Sequence, residues 1–185
     1  GNDVISGGDG IDSITGGAGV DSIDGGAGND IIVVADDASF KVSGGVETVN
    51  GGLGTDTLAF TEAAALTLTA PELSQLYSIE KITLGSNATS LTFGNETFTN
   101  LGNSSLQITT TTTDNVTTID GSAVSNGSFL IVDDGSNDND DSLVGGSGDD
   151  IFRFSSTTGL TDGDTVTGGA GTDTIQVDNT AAATI

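Results

Sequence analysis

Cysteine, histidine, methionine and tryptophan are absent from the 185 residues, proline occurs once, and the only bases are Lys41, Lys81 and Arg153. Without cysteine there are no disulfides and no thiolate metal sites. Without histidine the usual zinc ligand is missing, and oxygen ligands alone favour Ca²⁺ over transition metals. The same two absences remove the usual pairings of nucleophile and base, so the chain is not expected to be an enzyme. Three bases make no patch for phosphates, so nucleic acid is not an expected partner. No apolar run approaches the length of a membrane span, and no signal peptide is visible. What the chain does have is 27 acidic residues and a formal net charge of −24. Such a charge makes a compact chain repel itself. Disorder or cation binding would resolve this. Disorder goes with low hydrophobicity, yet 34% of the residues are hydrophobic and they alternate regularly, which favours cation binding.

Glycine is abundant, at 29 residues, and it is periodic. Gly7 to Val33 reads in nines as GGDGIDSIT, GGAGVDSID and GGAGNDIIV. The template is Gly-Gly-x-Gly-x-Asp-x-U-x, where U is large and apolar. The glycines let a tight turn use positive φ and bring backbone close to an ion. The Asp at the sixth position supplies a hard oxygen ligand. The apolar residue at the eighth (Ile14, Ile23, Ile32) is expected to point inward from a very short strand. Two units make one flat coil with a turn on each edge. Asp12 and Asp30 therefore stack on one edge. Asp3 and Asp21 stack on the other, because residues 1–6 are the tail of an earlier repeat. Each stacked pair, with turn carbonyls, makes an oxygen-only cage suited to Ca²⁺.

This stretch resembles the repeats-in-toxin (RTX) family of secreted calcium-binding proteins. The resemblance implies an all-β fold, a parallel β-roll or β-solenoid with calcium-binding turns. It also implies export in the unfolded state and folding when calcium arrives.

The phase continues beyond Val33. Gly51 to Ala59 is a full match, and the nine residues before it place Glu47 at the Asp position and Val49 at the apolar one. Gly145 to Arg153 matches with Asp150 and Phe152 in register, preceded by Asp141 and Leu143 in a repeat that has lost its glycines. Gly168 to Gln176 matches with Asp173 and Ile175, preceded by Asp164 and Val166. The candidate metal residues are thus Asp3, Asp12, Asp21, Asp30, Glu47, Asp56, Asp141, Asp150, Asp164 and Asp173. With them go the turn glycines Gly8, Gly10, Gly17, Gly19, Gly26, Gly28, Gly52, Gly54, Gly146, Gly148, Gly169 and Gly171. Several Ca²⁺ ions are expected. Gly7 to Val33 reads as the one block with stacked Asp on both edges, and the later matches as single coils. Asp36 and Asp37, in the insert from Val34 to Lys41, offer two readings: a solvated acidic loop, which is favoured, or completion of a cage with Asp56.

From Phe60 to Asp133 glycine thins out and Thr, Ser, Asn and Leu rise. Short alternating runs such as Leu66–Thr69, Ser90–Phe93 and Phe129–Val132, separated by Gly/Asn/Asp turns, predict strands. Three segments follow: an RTX β-roll over 1–59, a Thr/Ser-rich β-solenoid segment with few or no calcium turns over 60–135, and a second RTX segment over 136–185. A small β-sandwich is the alternative for the middle. One short helix is predicted over Ala70–Tyr77, from Pro71 at its first position and Glu72 in its first turn. Its Leu73 and Leu76 are expected to cap the core. The five threonines from Thr109 to Thr113 read as a strand with an exposed hydroxyl face.

The mosaic of calcium coils and Thr/Ser-rich β-segments resembles RTX-type bacterial surface-layer proteins. That resemblance implies type I secretion, an extracellular or cell-surface location, and self-association into a lattice or filament. The sequence reading is therefore a structural, calcium-binding segment of a secreted protein. A spacer of a large adhesin and the folding module of a secreted hydrolase or toxin are the alternatives. The chain opens in mid-repeat, so flanking domains of a longer protein are expected to cover its ends.

Overall fold

Short runs of alternating apolar and polar residues form strands, and the turns between them return the chain in the same direction each time. The computed structural model describes residues 1–34, 40, 47–61, 65–85, 89–102, 105–110, 116–133, 140–155 and 159–178. Among these, every strand pairing is parallel. The fold is a β-solenoid. One wall is an eight-stranded sheet of β2 (Ser13–Thr15), β4 (Ile31–Val34), β6 (Thr57–Phe60), β9 (Lys81–Leu84), β11 (Ser105–Thr110), β13 (Ser128–Asp133), β15 (Ile151–Phe154) and β17 (Thr174–Val177). The opposite wall is split. Its first part is a four-stranded sheet of β1 (Val4–Asp9), β3 (Ser22–Ala27), β5 (Thr48–Leu53) and β8 (Leu76–Tyr77). Its second part is a five-stranded sheet of β7 (Leu66–Leu68), β10 (Thr89–Thr92), β12 (Thr117–Asp120), β14 (Ser142–Val144) and β16 (Thr165–Thr167).

The core lies between the walls. Along the long sheet the inward positions register as a single apolar file: Ile14, Ile32, Leu58, Ile82, Ile108, Ile131, Phe152 and Ile175. All are buried except Ile175, on the edge strand β17, which is 55% exposed. The facing file is Ile5, Ile23, Val49 and Leu76, then Leu68, Leu91, Ile119, Leu143 and Val166. The eighth position of each nonapeptide thus points inward, as its apolar character requires. Full burial of each such side chain stabilises the fold by roughly 1.5–3 kcal/mol.

The middle stretch continues the solenoid, because β9, β11 and β13 pair in one sheet with strands from both ends. A separate sandwich would have broken that sheet. Two features there depart from expectation. The helix predicted over residues 70–77 is confined to α1 (Ala70–Leu73); Leu76 and Tyr77 leave it to form β8, the edge of the four-stranded sheet. Both Leu73 and Leu76 are fully buried. Gly94-Asn95, which reads as a turn, begins a second helix, α2 (Asn95–Leu101), closed by Gly102 in the left-handed conformation at φ 70°. This helix packs against β8 and α1, covering the end of the four-stranded sheet where an exposed strand edge would otherwise remain. Asp36 and Asp37, Thr111 to Thr113, and residues 179–185 lie outside the described residues. Among the described residues no helix is long and apolar enough to cross a membrane.

Candidate calcium sites along the solenoid edges

The sixth-position Asp residues sit immediately before the strands, at the two edges where the chain turns. In register they form ladders. The backbone N–H of Asp3 donates to Asp21 Oδ1 at 2.8 Å, and that of Asp12 to Asp30 Oδ1 at 2.9 Å. Asp30 N–H donates to Asp56 Oδ1 at 2.7 Å. In the C-terminal coils Asp141 N–H donates to Asp164 Oδ1 at 2.9 Å, and Asp150 N–H to Asp173 Oδ1 at 3.0 Å. One carboxylate oxygen of each pair is therefore used to hold the next coil. The C-terminal coils also carry stacked Asp on both edges, which corrects the reading of Gly7 to Val33 as the one block that does. Glu47 is buried and directly precedes β5, whose Thr48 N–H donates to the Asp21 carbonyl at 3.0 Å.

The other oxygen decides what these edges can bind. Oδ2 of Asp12, Asp21, Asp30 and Asp56 is buried and has no hydrogen-bond partner. Leaving a buried carboxylate oxygen unpaired is costly. Each Oδ2 faces the first glycine of its own turn. A Cβ on Gly7 would lie 2.7 Å from Asp12 Oδ2 and 2.5 Å from the Gly25 carbonyl oxygen; one on Gly25 would lie 2.6 Å from Asp30 Oδ2 and 2.5 Å from the Gly51 carbonyl oxygen. The missing side chain lets a carboxylate oxygen of one coil and a backbone carbonyl of the next approach each other over the glycine, and these two oxygens form a cradle. Among the described residues no three acidic side chains gather around one point, so carbonyls must complete any ion's shell. A hard cation with six to eight oxygen ligands suits this donor set. Burial pushes the carboxyls of Asp56 and Asp150 above the ordinary range, against the lowering effect of the backbone N–H groups they accept. These two acids bear their charge at a cost that a cation would offset.

A family model described as RTX calcium-binding nonapeptide repeat (4 copies) matches residues 1–32, 136–154 and 158–179. These are RTX repeats. No curated protein and no solved structure matches the chain. RTX repeats bind calcium, so the unpaired oxygens and glycine cradles fit the ion that the repeats imply.

The glycines at the second and fourth positions of the repeats serve the turn itself. Their φ is positive at Gly8, Gly10, Gly17, Gly19, Gly26, Gly28, Gly52, Gly54, Gly169 and Gly171. Gly146 and Gly148 are not in that conformation. There the neighbouring coil, around Gly121 to Gly127, lacks the repeat, and Ser147 N–H donates to the Val124 carbonyl at 2.9 Å. Asp150 Oδ2 is consequently engaged by the Gly146 N–H at 2.8 Å and is not left open as in the N-terminal RTX turns. At Gly28, φ is +138° and a Cβ would run into the Gly10 carbonyl oxygen of the adjacent coil. A Gly28→Ala chain should therefore lose at least about 1–2 kcal/mol from the left-handed conformation alone. Thermal melting at saturating calcium reads this out; a melting temperature equal to wild type would contradict it.

Two sets of residues escaped the sequence reading. The fifth position forms its own exposed ladder, running opposite to the Asp one: Val20 N–H donates to Asn2 Oδ1 at 3.0 Å, Thr55 N–H to Asn29 Oδ1 at 2.9 Å, and Thr172 N–H to Asp149 Oδ1 at 2.8 Å. The presence of Asn or Asp before the repeat Asp was the available signal. The second is Glu80, whose Oε2 accepts the Asp56 N–H at 2.7 Å. Register along the long sheet then gives one file across all its coils: Asp12, Asp30, Asp56, Glu80, Leu106, Phe129, Asp150 and Asp173. Acids occupy both ends, and two apolar side chains occupy the centre. Phe129 fills the carboxylate position and packs edge-on against Phe93 and Phe98, with ring centroids 5.2 and 5.1 Å apart.

Proposed function

We propose that this chain is a calcium-stiffened structural segment of a secreted surface-layer or extracellular filament protein, without catalytic chemistry of its own. The observation that carries the reading is the pair of oxygen-lined ladder blocks at the two ends of one solenoid, joined by an apolar centre. When bound, calcium supplies two positive charges per ion between stacked carboxylates. The chain's own residues do the rest. Asp12 and Asp30 present an oxygen to the cradle, the Gly25 and Gly51 carbonyls line it, and Oδ1 of Asp30 and of Asp56 fixes the adjacent coil. RTX repeats are typical of secreted proteins, and low calcium inside a cell keeps such a chain unfolded for type I export. The resemblance to surface-layer proteins, in its alternation of calcium coils and Thr/Ser-rich β-segments, supports assembly rather than a solitary spacer. Electron microscopy of the purified chain tests this. Ordered sheets or filaments should form in millimolar Ca²⁺ and dissolve in EDTA. Monodisperse single particles at every calcium concentration would reject the assembly role.

A further inference from the structure

The oxygen ladder runs past the residues that the RTX family model matches, and its last step has every feature of the steps before it. Asp56 is fully buried, and its Oδ2 has no partner. That oxygen faces Gly51, where a Cβ would lie 2.7 Å from it. The same Cβ position is closed from the other side by the carbonyl oxygen of Ser78. In the two preceding coils the corresponding carbonyls belong to Gly25 and Gly51. Ser78 is the one non-glycine residue with positive φ among those described, at +49°. A non-glycine residue is held in that region only where the surrounding structure compels it, and such residues cluster at ligand-binding sites. Two residues on, Glu80 takes the Asp position of the next coil and accepts the Asp56 N–H, as Asp56 does for Asp30.

We propose that Asp56, the Ser78 carbonyl and Glu80 form a further Ca²⁺ site, between the last nonapeptide turn of the N-terminal block and a turn that has no nonapeptide motif. The inference rests on the calcium-binding reading above and extends it from Asp56 to Ser78 and Glu80, which no repeat pattern picks out. The unpartnered, fully buried oxygen of Asp56 is the decisive feature, because it is aimed at a cradle already walled by a second oxygen from the neighbouring coil. Glu80 is one methylene longer than Asp. It lets a turn without the glycine pair still deliver a carboxylate to the ladder. The site also marks where the file changes character, since the next two positions are Leu106 and Phe129.

Equilibrium dialysis of the full chain against calcium, with circular dichroism at saturation, tests this. Glu80→Gln should bind one ion fewer than wild type while reaching the same saturated spectrum. Glu80→Asp and Ser78→Gly should keep the wild-type count, because the first retains the carboxylate and the second retains the carbonyl while relieving the strained φ. Gln still offers an oxygen to the Asp56 N–H. A purely structural Glu80 would therefore leave the ion count of Glu80→Gln unchanged, and that result overturns the proposal. Should Glu80→Gln fail to reach the wild-type spectrum, the Ser78→Gly/Glu80→Gln chain carries the same count comparison against Ser78→Gly. A wild-type chain that binds no calcium would reject the underlying reading instead, so the two failures are distinct.

Discussion

Removal of calcium with EDTA is expected to abolish the β-type circular dichroism of this chain, and millimolar Ca²⁺ to restore it. Each nonapeptide contributes one inward apolar side chain for nine residues ordered, and backbone ordering costs about 1–2 kcal/mol per residue. The ladders add a second obstacle. Asp12, Asp30 and Asp56 stand in adjacent coils of one edge, and burial and the neighbouring acids Glu80 and Asp30 raise the cost of charging Asp56. Stability is therefore expected to depend on the ion, as it does in small metal-dependent folds. Extracellular modules bind calcium at about 10⁻⁴–10⁻³ M, and the refolding midpoint should fall in that range. A spectrum unchanged by EDTA would sink the idea that calcium drives folding.

The Phe129→Ala chain is expected to be the most strongly destabilised of the core variants, by about 3–5 kcal/mol. Phe129 is buried at the point where the ladder has no carboxylate, and it holds Phe93 from the wall and Phe98 from α2 together. Gly121 and the ring are in tight contact, because a Cβ on Gly121 would collide with Phe129. Truncation leaves a cavity that neither helix nor sheet can collapse into. Excess calcium should not rescue it, because the position offers no oxygen. Chemical denaturation at saturating Ca²⁺ measures the loss. A change below about 1 kcal/mol would mean that the centre is held by something other than this aromatic cluster.

Sequence patterning revealed the coil, its phase and the inward apolar file, because the repeat imposes backbone and side-chain constraints on the same nine positions. Ile14, Ile23 and Ile32 could be placed from spacing alone. What spacing could not show lies where one constraint is met by other means. Glu80 has no glycine pair before it, so the motif is absent although its Glu-x-apolar step to Ile82 matches that of Asp30 to Ile32. Gly146 satisfies the motif, yet its neighbouring coil does not, and a turn's conformation depends on both. α2 was hidden because seven residues with Phe98 and Leu101 inward make too little periodicity to distinguish from a Gly-Asn turn. The split of the second wall at β7 and β8 is a property of pairing between distant strands, which no local pattern encodes.

The unbroken eight-stranded sheet has a mechanical consequence. The chain from Ser13 to Val177, whose contour when extended is roughly 550 Å, is gathered into seven strand spacings, roughly 34 Å. A coil of 18 residues, such as that from Asp12 to Asp30, takes up roughly 60 Å of contour. The solenoid is in this sense a spool. With the calcium-driven folding expected above, the dissolved ion would set how much line is wound on, and Phe129 joins the two windings on one axle.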